Sequence, residues 1–169
     1  MRAMSHVEDA VQIHAHPVTL YEMVADITRM GEWSPENTGG QWLDGASGPR
    51  VHARFRGHNR RGLRGPDNSG PLRWSTECTV TEADPGRRFA FTVRFTGMEI
   101  SEWSYAFERV GDGCAVTERW TDRRPAPFRI PDNAYVRLAL GVRDRGEFNL
   151  RGIRTTLAAL KSAVEPSTT

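Results

Sequence analysis

Long apolar runs are missing from this 169-residue sequence. No stretch approaches the ~18 consecutive apolar residues that a membrane-spanning helix requires, so no such span is expected. The opening segment, Met1 to Asp9, is polar and lacks the apolar core of a secretory signal, so the expected location is the cytoplasm. Cysteine is scarce as well: Cys78 and Cys114 fall on different expected strands and form neither a CxxC pair nor a zinc spacing. That pattern fits two small, buried, reduced side chains. Phosphate loops, dinucleotide-binding glycine fingerprints and GxSxG elbows are also missing, since DGASGP lacks their spacing. No cofactor is expected. His14 and His16 stand two apart at a strand end, but no third ligand lies near and zinc sites want at least three, so no metal site is assigned.

What is present is a globular composition, 38% apolar and 26% charged. A chain of this length buries roughly 70% of its unfolded surface and needs neither disulfide nor metal to fold. Neither an internal repeat nor a domain boundary shows, so residues 1–169 read as a single domain with 166–169 as a frayed tail. Net charge is +2, and of the 23 basic residues all but Lys161 are arginine. Six arginines and two histidines lie between Arg50 and Arg64 with no acidic residue. Arg54, Arg56 and His58 alternate with Phe55 and Gly57, as on the solvent face of a strand, so nucleic acid is not the expected partner. An anionic partner at an exposed loop carrying Arg60, Arg61 and Arg64 is the alternative.

Local pattern gives the element order. Residues 6–14 read as a first strand, and Pro17 suits the first turn of a helix. Val18, Tyr21 and Val24 recur at helical spacing. Asp26 or Thr28 caps a second short helix with Ile27, Met30 and Trp33 on one face. Strands are expected at 38–43, 50–59, 72–83, 88–96, 100–110 and 114–122, with glycine, proline and aspartate in the links between them. The last three links are short enough for antiparallel hairpins. Phe89, Phe91, Val93 and Phe95 should face one side of the sheet, with Arg88, Ala90, Thr92 and Arg94 on the other. After a proline-rich passage, a stretch from Asn133 becomes helical, and Leu150, Ile153, Leu157, Leu160 and Val164 give it a narrow apolar stripe. The predicted fold class is α+β: a curved seven-stranded antiparallel sheet wrapped around a long C-terminal helix. One helix cannot fill the space beneath such a sheet, so a lined apolar cavity is expected.

The segments DITRMGEWSPE, ISEWSYAFERVGDGCAVTERWTD and GIRTTLAALKSAVE, in this order of elements, resemble the SRPBCC superfamily of helix-grip proteins. That superfamily includes START-like lipid carriers, the birch-pollen allergen fold and polyketide cyclase/dehydrases. Within it, FRGHNRRG followed by LRWSTECTVTEADPGRRFAF is most similar to small actinobacterial polyketide cyclase/dehydrase-like proteins. The resemblance covers almost the whole chain and implies a hydrophobic polyketide- or lipid-like ligand. The aromatic-polyketide aromatase/cyclases of this group carry a cavity arginine four residues after a tryptophan. Here Trp74 is followed at that distance by Cys78, and the tyrosine that follows their helix has no counterpart in SPENTGG. Their catalytic pair is not carried over.

Three residues are candidates for chemistry. In AVTERWT, Glu118 shares parity with Val116 and Trp120, which puts a carboxylate on a dry wall if those two face the cavity. Burial there would raise its pKa and suit it to acid–base work. The alternative is the opposite register, or an arginine partner. Tyr105 shares parity with Trp103 and Phe107, so its hydroxyl points inward, either to the cavity or to a single packing hydrogen bond. Asn59 either offers an amide at the rim or begins the 59–70 turn. The expected lining is Trp33, Phe55, Trp74, Thr76, Cys78, Phe91, Trp103, Trp120, Tyr135, Leu138 and Phe148.

Three functions follow. The chain is a cofactor-independent enzyme that cyclises or dehydrates a polyketide-like substrate, a carrier or sensor of a hydrophobic molecule, or a protein-binding module like the Hsp90-activating branch of the superfamily. A monomer or homodimer fits each. Polar side chains converging inside the cavity would favour the first.

Overall fold

The computed structural model describes residues 6–61, 70–125 and 145–165. Seven strands form one antiparallel sheet: β1 (His6–Ile13), β2 (Asn37–Trp42), β3 (Arg54–Arg61), β4 (Leu72–Asp84), β5 (Arg88–Phe95), β6 (Met98–Val110) and β7 (Gly113–Asp122). Their spatial order is β1-β7-β6-β5-β4-β3-β2, so the first strand closes beside the last. Two helices, α1 (Pro17–Ala25) and the single turn α2 (Met30–Trp33), join β1 to β2. The helix α3 (Arg145–Val164) lies across the concave face. This is the helix-grip architecture expected from the sequence.

Local chemistry explains the junctions. His16 caps α1, its Nδ1 accepting from the Val18 amide at 3.2 Å, and Pro17 follows at the first helical position. That fixes one of the two histidines weighed above as metal ligands; the other, His14, lies 3.4 Å from Asp112 on the surface. Asp26 accepts from the Thr28 amide and hydroxyl at 3.1 and 2.6 Å. On α3, Ile153, Leu157 and Leu160 are buried, with Leu150 and Val164 half-buried at the ends of the stripe. The helix is tied to β1 by Arg154 to Asp9 at 2.7 Å and Lys161 to the Gln12 carbonyl at 2.8 Å. The Glu165 carboxylate accepts from the His14 amide.

Three details depart from the sequence expectation. The strand expected at 50–59 runs from Arg54 to Arg61 instead, because His52 turns the chain into the left-handed region at φ 69°, and Val51 is exposed. Its two extra residues bring Arg61 onto the inward parity of Phe55, Gly57 and Asn59. Arg61 is therefore buried rather than part of an exposed loop. On β5, Phe89, Phe91 and Val93 face inward, but a register shift at Val93/Arg94 leaves Phe95 exposed at the hairpin end. Ala90, expected on the wet face, is buried beside its register partner Glu82, which Arg88 clasps through two hydrogen bonds.

A cavity with a buried acid

Between the concave face and α3 lies a cavity of about 120 Å³. An engineered core cavity of ~150 Å³ holds a benzene, so this space takes roughly one six-membered ring. Apart from Ile100 of β6, the sheet lines it with residues of one parity on each strand: Phe55, Gly57 and Asn59 of β3; Trp74, Thr76 and Cys78 of β4; Phe91 and Val93 of β5; Ser101, Trp103 and Tyr105 of β6; and Glu118 of β7. One stripe of α3 closes it, Arg145, Phe148, Asn149, Gly152 and Thr156, at steps of three and four residues. The linker after α2 adds Ser34, Pro35 and Glu36, and β2 adds Asn37.

Glu118 stands on the dry wall, only 2% exposed. Strand β7 fixes this orientation through its pairing on both sides, with Glu118 opposite Tyr105 on β6 and Asp9 on β1. The Tyr105 hydroxyl donates to Glu118 Oε1 at 2.7 Å, and Oε2 has no hydrogen-bond partner among the described residues. Its partner is thus a phenol, not an arginine. Burial pushes the carboxyl up to about 8, opposed by the hydrogen bond from Tyr105. The Tyr105 phenol lies well above its ordinary value, through burial first and then through the neighbouring carboxylate. Near neutral pH the pair therefore holds an acid that exchanges its proton readily beside a phenol that keeps its own.

The opposite wall is polar but already satisfied. Asn37 Nδ2 donates to Asn59 Oδ1 at 3.4 Å, and Asn59 Nδ2 donates to Thr76 Oγ1 at 3.4 Å. Gly57 leaves room for this row, since a Cβ there would stand 3.3 Å from the Thr76 hydroxyl and 3.4 Å from the Asn37 amide nitrogen. Asn59 thus lines the cavity from β3, three strands removed from the β6–β7 pair, with both ends of its amide engaged. Cys78 is pushed up to about 12 by burial, so it stays a neutral thiol and not a nucleophile.

Of the residues expected to line the cavity, Phe55, Trp74, Thr76, Cys78, Phe91, Trp103 and Phe148 do so. Trp33 and Trp120 are buried elsewhere. The indole of Trp33 donates to the Met23 carbonyl at 3.3 Å and holds α2 against α1, while Trp120 packs in the core opposite Trp103 and Val7 in register. Tyr135 and Leu138 lie outside the described residues. Polar lining residues missed include Glu36, Arg145 and Asn149, and Arg61 stacks behind the lining rings of Trp74 and Phe148. The parity of Phe55, Gly57 and Asn59 was the signal for Arg61, and the spacing to Phe148 on one helix face was the signal for Arg145 and Asn149.

Residues 4–165 match the family model described as polyketide cyclase / dehydrase and lipid transport. No curated protein matches the sequence. Among solved structures, the chain is 30% identical to the Polyketide_cyc-like protein Cgl2372 from Corynebacterium glutamicum, covering 98% of this chain and 94% of that one at a TM-score of 0.64. Two more distant structures share the fold. The allergen Ara h 8.0201 is 10% identical, with 96% and 98% covered and a TM-score of 0.65. The Aha1 dimer from Colwellia psychrerythraea is 16% identical, with 98% and 100% covered and a TM-score of 0.56. No helix among the described residues is long and apolar enough to cross a membrane.

Proposed function

The chain belongs to the polyketide cyclase / dehydrase and lipid transport family, and on that premise we propose that its cavity binds a hydrophobic small molecule and that Glu118 promotes its cyclisation or dehydration. The observation that carries this reading is the Tyr105–Glu118 pair on the cavity wall, a buried acid with one oxygen held by a phenol and the other unpartnered among the described residues. A pure carrier has no need to keep a titratable group on a dry wall, where its ionised form is disfavoured.

The chemistry requires one proton shuttle. In a ring closure of the aldol type, the Glu118 carboxylate takes a proton from the carbon beside a carbonyl. The new carbon–carbon bond forms to a second carbonyl carbon, and Glu118 returns the proton to the resulting alkoxide. Dehydration repeats the cycle: a C–H proton is taken, and the departing hydroxyl is protonated and leaves as water. Neither step consumes a redox equivalent, and Glu118 ends as it began. Tyr105 holds Oε1, which leaves Oε2 as the oxygen without a hydrogen-bond partner among the described residues. The walls restrict the chain to one ring's worth of space, and such orientation alone can contribute up to ~7–11 kcal/mol.

Native mass spectrometry of freshly purified protein would identify a co-purifying ligand, and that molecule or its open-chain precursor would then be assayed. Glu118→Gln should lower turnover by roughly 10²–10⁴ while ligand affinity changes little. Binding without turnover by the unaltered protein would leave it a carrier, and unchanged turnover in the variant would remove Glu118 from the chemistry.

A further inference from the structure

At the N-terminal end of α3, two carboxylates and three guanidiniums gather among the described residues. Asp122 and Arg124 form a two-pronged pair at 2.9 and 2.7 Å. Arg61 Nη1 lies 3.6 Å from Glu36 Oε1 and spreads over the rings of Trp74 and Phe148, at 5.7 and 5.5 Å from their centroids. Arg145 remains. Its guanidinium stacks on Phe148 at 5.5 Å and lines the cavity, yet among the described residues it has no ion pair within 4.0 Å. One turn along the same face, Asn149 is 3% exposed, and its Nδ2 donor has no hydrogen-bond partner among the described residues. A buried donor left unpaired and a cation facing an apolar space are both costly, and both are satisfied by the same thing, an anionic acceptor.

We propose that this end of the cavity is an anion subsite, in which Arg145 and Asn149, backed by Arg61, receive the carboxylate of a small organic acid whose apolar body lies among the aromatic walls. The inference rests on the cavity being a ligand site, as proposed above, and adds the class of ligand. Geometry suits the assignment. Arg145 and Asn149 are four residues apart on one helix face, and both line the cavity. Phe148 between them stacks on both Arg61 and Arg145 and fixes where each guanidinium lies. Burial also pulls the Arg145 guanidinium below its ordinary value while Glu36 supports it, consistent with a cation only partly compensated by its surroundings. Glu36 is itself pushed upward by burial, which weakens its competition with a ligand carboxylate for Arg145.

The test compares 3-phenylpropanoate with 3-phenylpropan-1-ol, which share one ring and a short chain and differ in charge. Binding is read by calorimetry on the full chain. The acid should bind at least tenfold more tightly than the alcohol, as expected when an ionised group gains charged hydrogen bonds. Arg145→Gln should remove that advantage while the alcohol's affinity changes less than twofold, and Arg145→Lys should retain part of it. Asn149→Leu should weaken the acid selectively in the same way. If acid and alcohol bind equally well to the unaltered protein, the subsite is wrong while the cavity reading stands. Equal weakening of both ligands by Arg145→Gln would also overturn it, assigning the residue to structure. If neither molecule binds, the subsite and the cavity reading fall together. Because the unaltered chain already decides between acid and alcohol, the test survives a variant that fails to fold.

Discussion

Replacing Glu118 with glutamine should change how the stability of this protein depends on pH, and the size of the change can be worked from the structure. The carboxyl is buried and lies at about 8 in the folded chain, against an ordinary value of 4.5. Between those values the folded state holds a proton that the unfolded state has released. Stability therefore falls as pH rises through this window, by up to about 1.4 kcal/mol per pH unit. From 4.5 to about 8 the loss reaches the order of 4–5 kcal/mol. Below the window the group contributes no slope, and above it the full penalty is present. Glutamine has no proton to lose. Its amide nitrogen takes the place of Oε2, which has no hydrogen-bond partner among the described residues, so it adds an offset of about 1–3 kcal/mol that does not vary with pH. The informative quantity is thus the difference between the two proteins as a function of pH, in which groups common to both cancel. Urea denaturation at pH 5, 7 and 9, with equal m-values confirmed, measures it. Relative to pH 5, the variant should gain several kcal/mol over the native chain by pH 9, or roughly 10–15 °C in Tm for a chain of this size. A difference that stays flat from pH 5 to pH 9 would refute the placement of an uncompensated carboxyl on the dry wall.

Phe91 is 5% exposed, with its ring centroid 5.2 Å from Phe55 and 5.7 Å from Phe89, and it lines the cavity. Phe91→Ala should cost about 3–5 kcal/mol and strengthen binding of an apolar fluorescent dye by enlarging the cavity; lost stability with unchanged dye binding would place the ring in solid core. Gly152 lies on the lining face of α3, where an added Cβ would meet only the Pro35 ring, at 3.8 Å. Gly152→Leu should hold or raise Tm, since replacing a helical glycine gains up to ~1 kcal/mol, while dye affinity falls tenfold or more as the side chain fills the space. Unimpaired dye binding in that variant would show that the dye occupies another site.

Much of the fold was legible because its signals are local. The two-residue alternation of Phe89, Phe91 and Val93, the turn glycines and the three-and-four spacing of Ile153, Leu157 and Leu160 each depend on a few neighbouring residues. Where local pattern failed, one residue of backbone geometry was responsible. The left-handed turn at His52 shifted β3, and the register shift at Val93/Arg94 turned Phe95 outward. Parity also cannot tell a cavity wall from solid core. Trp120 and Glu118 share a face of β7, yet only Glu118 lines the cavity.

The sequence by itself determined the order of the elements and the sheet that grips a helix, because periodicity and turn chemistry are written in consecutive residues; it left open which face of β7 carries Glu118. It also showed where the arginines lie along the chain. Only the tertiary structure decided what those groups meet. Tyr105 and Glu118 become an acid–phenol pair because β6 and β7 bring residues 105 and 118 opposite each other. Arg61, read in the sequence as loop surface, becomes buried behind Trp74 and Phe148 because β3 runs on to residue 61. The cluster of charges at Arg145 exists only where the α2–β2 linker, β3, β7 and α3 converge. Contacts between residues distant in sequence depend on how whole elements pack, and no local window of sequence contains that information.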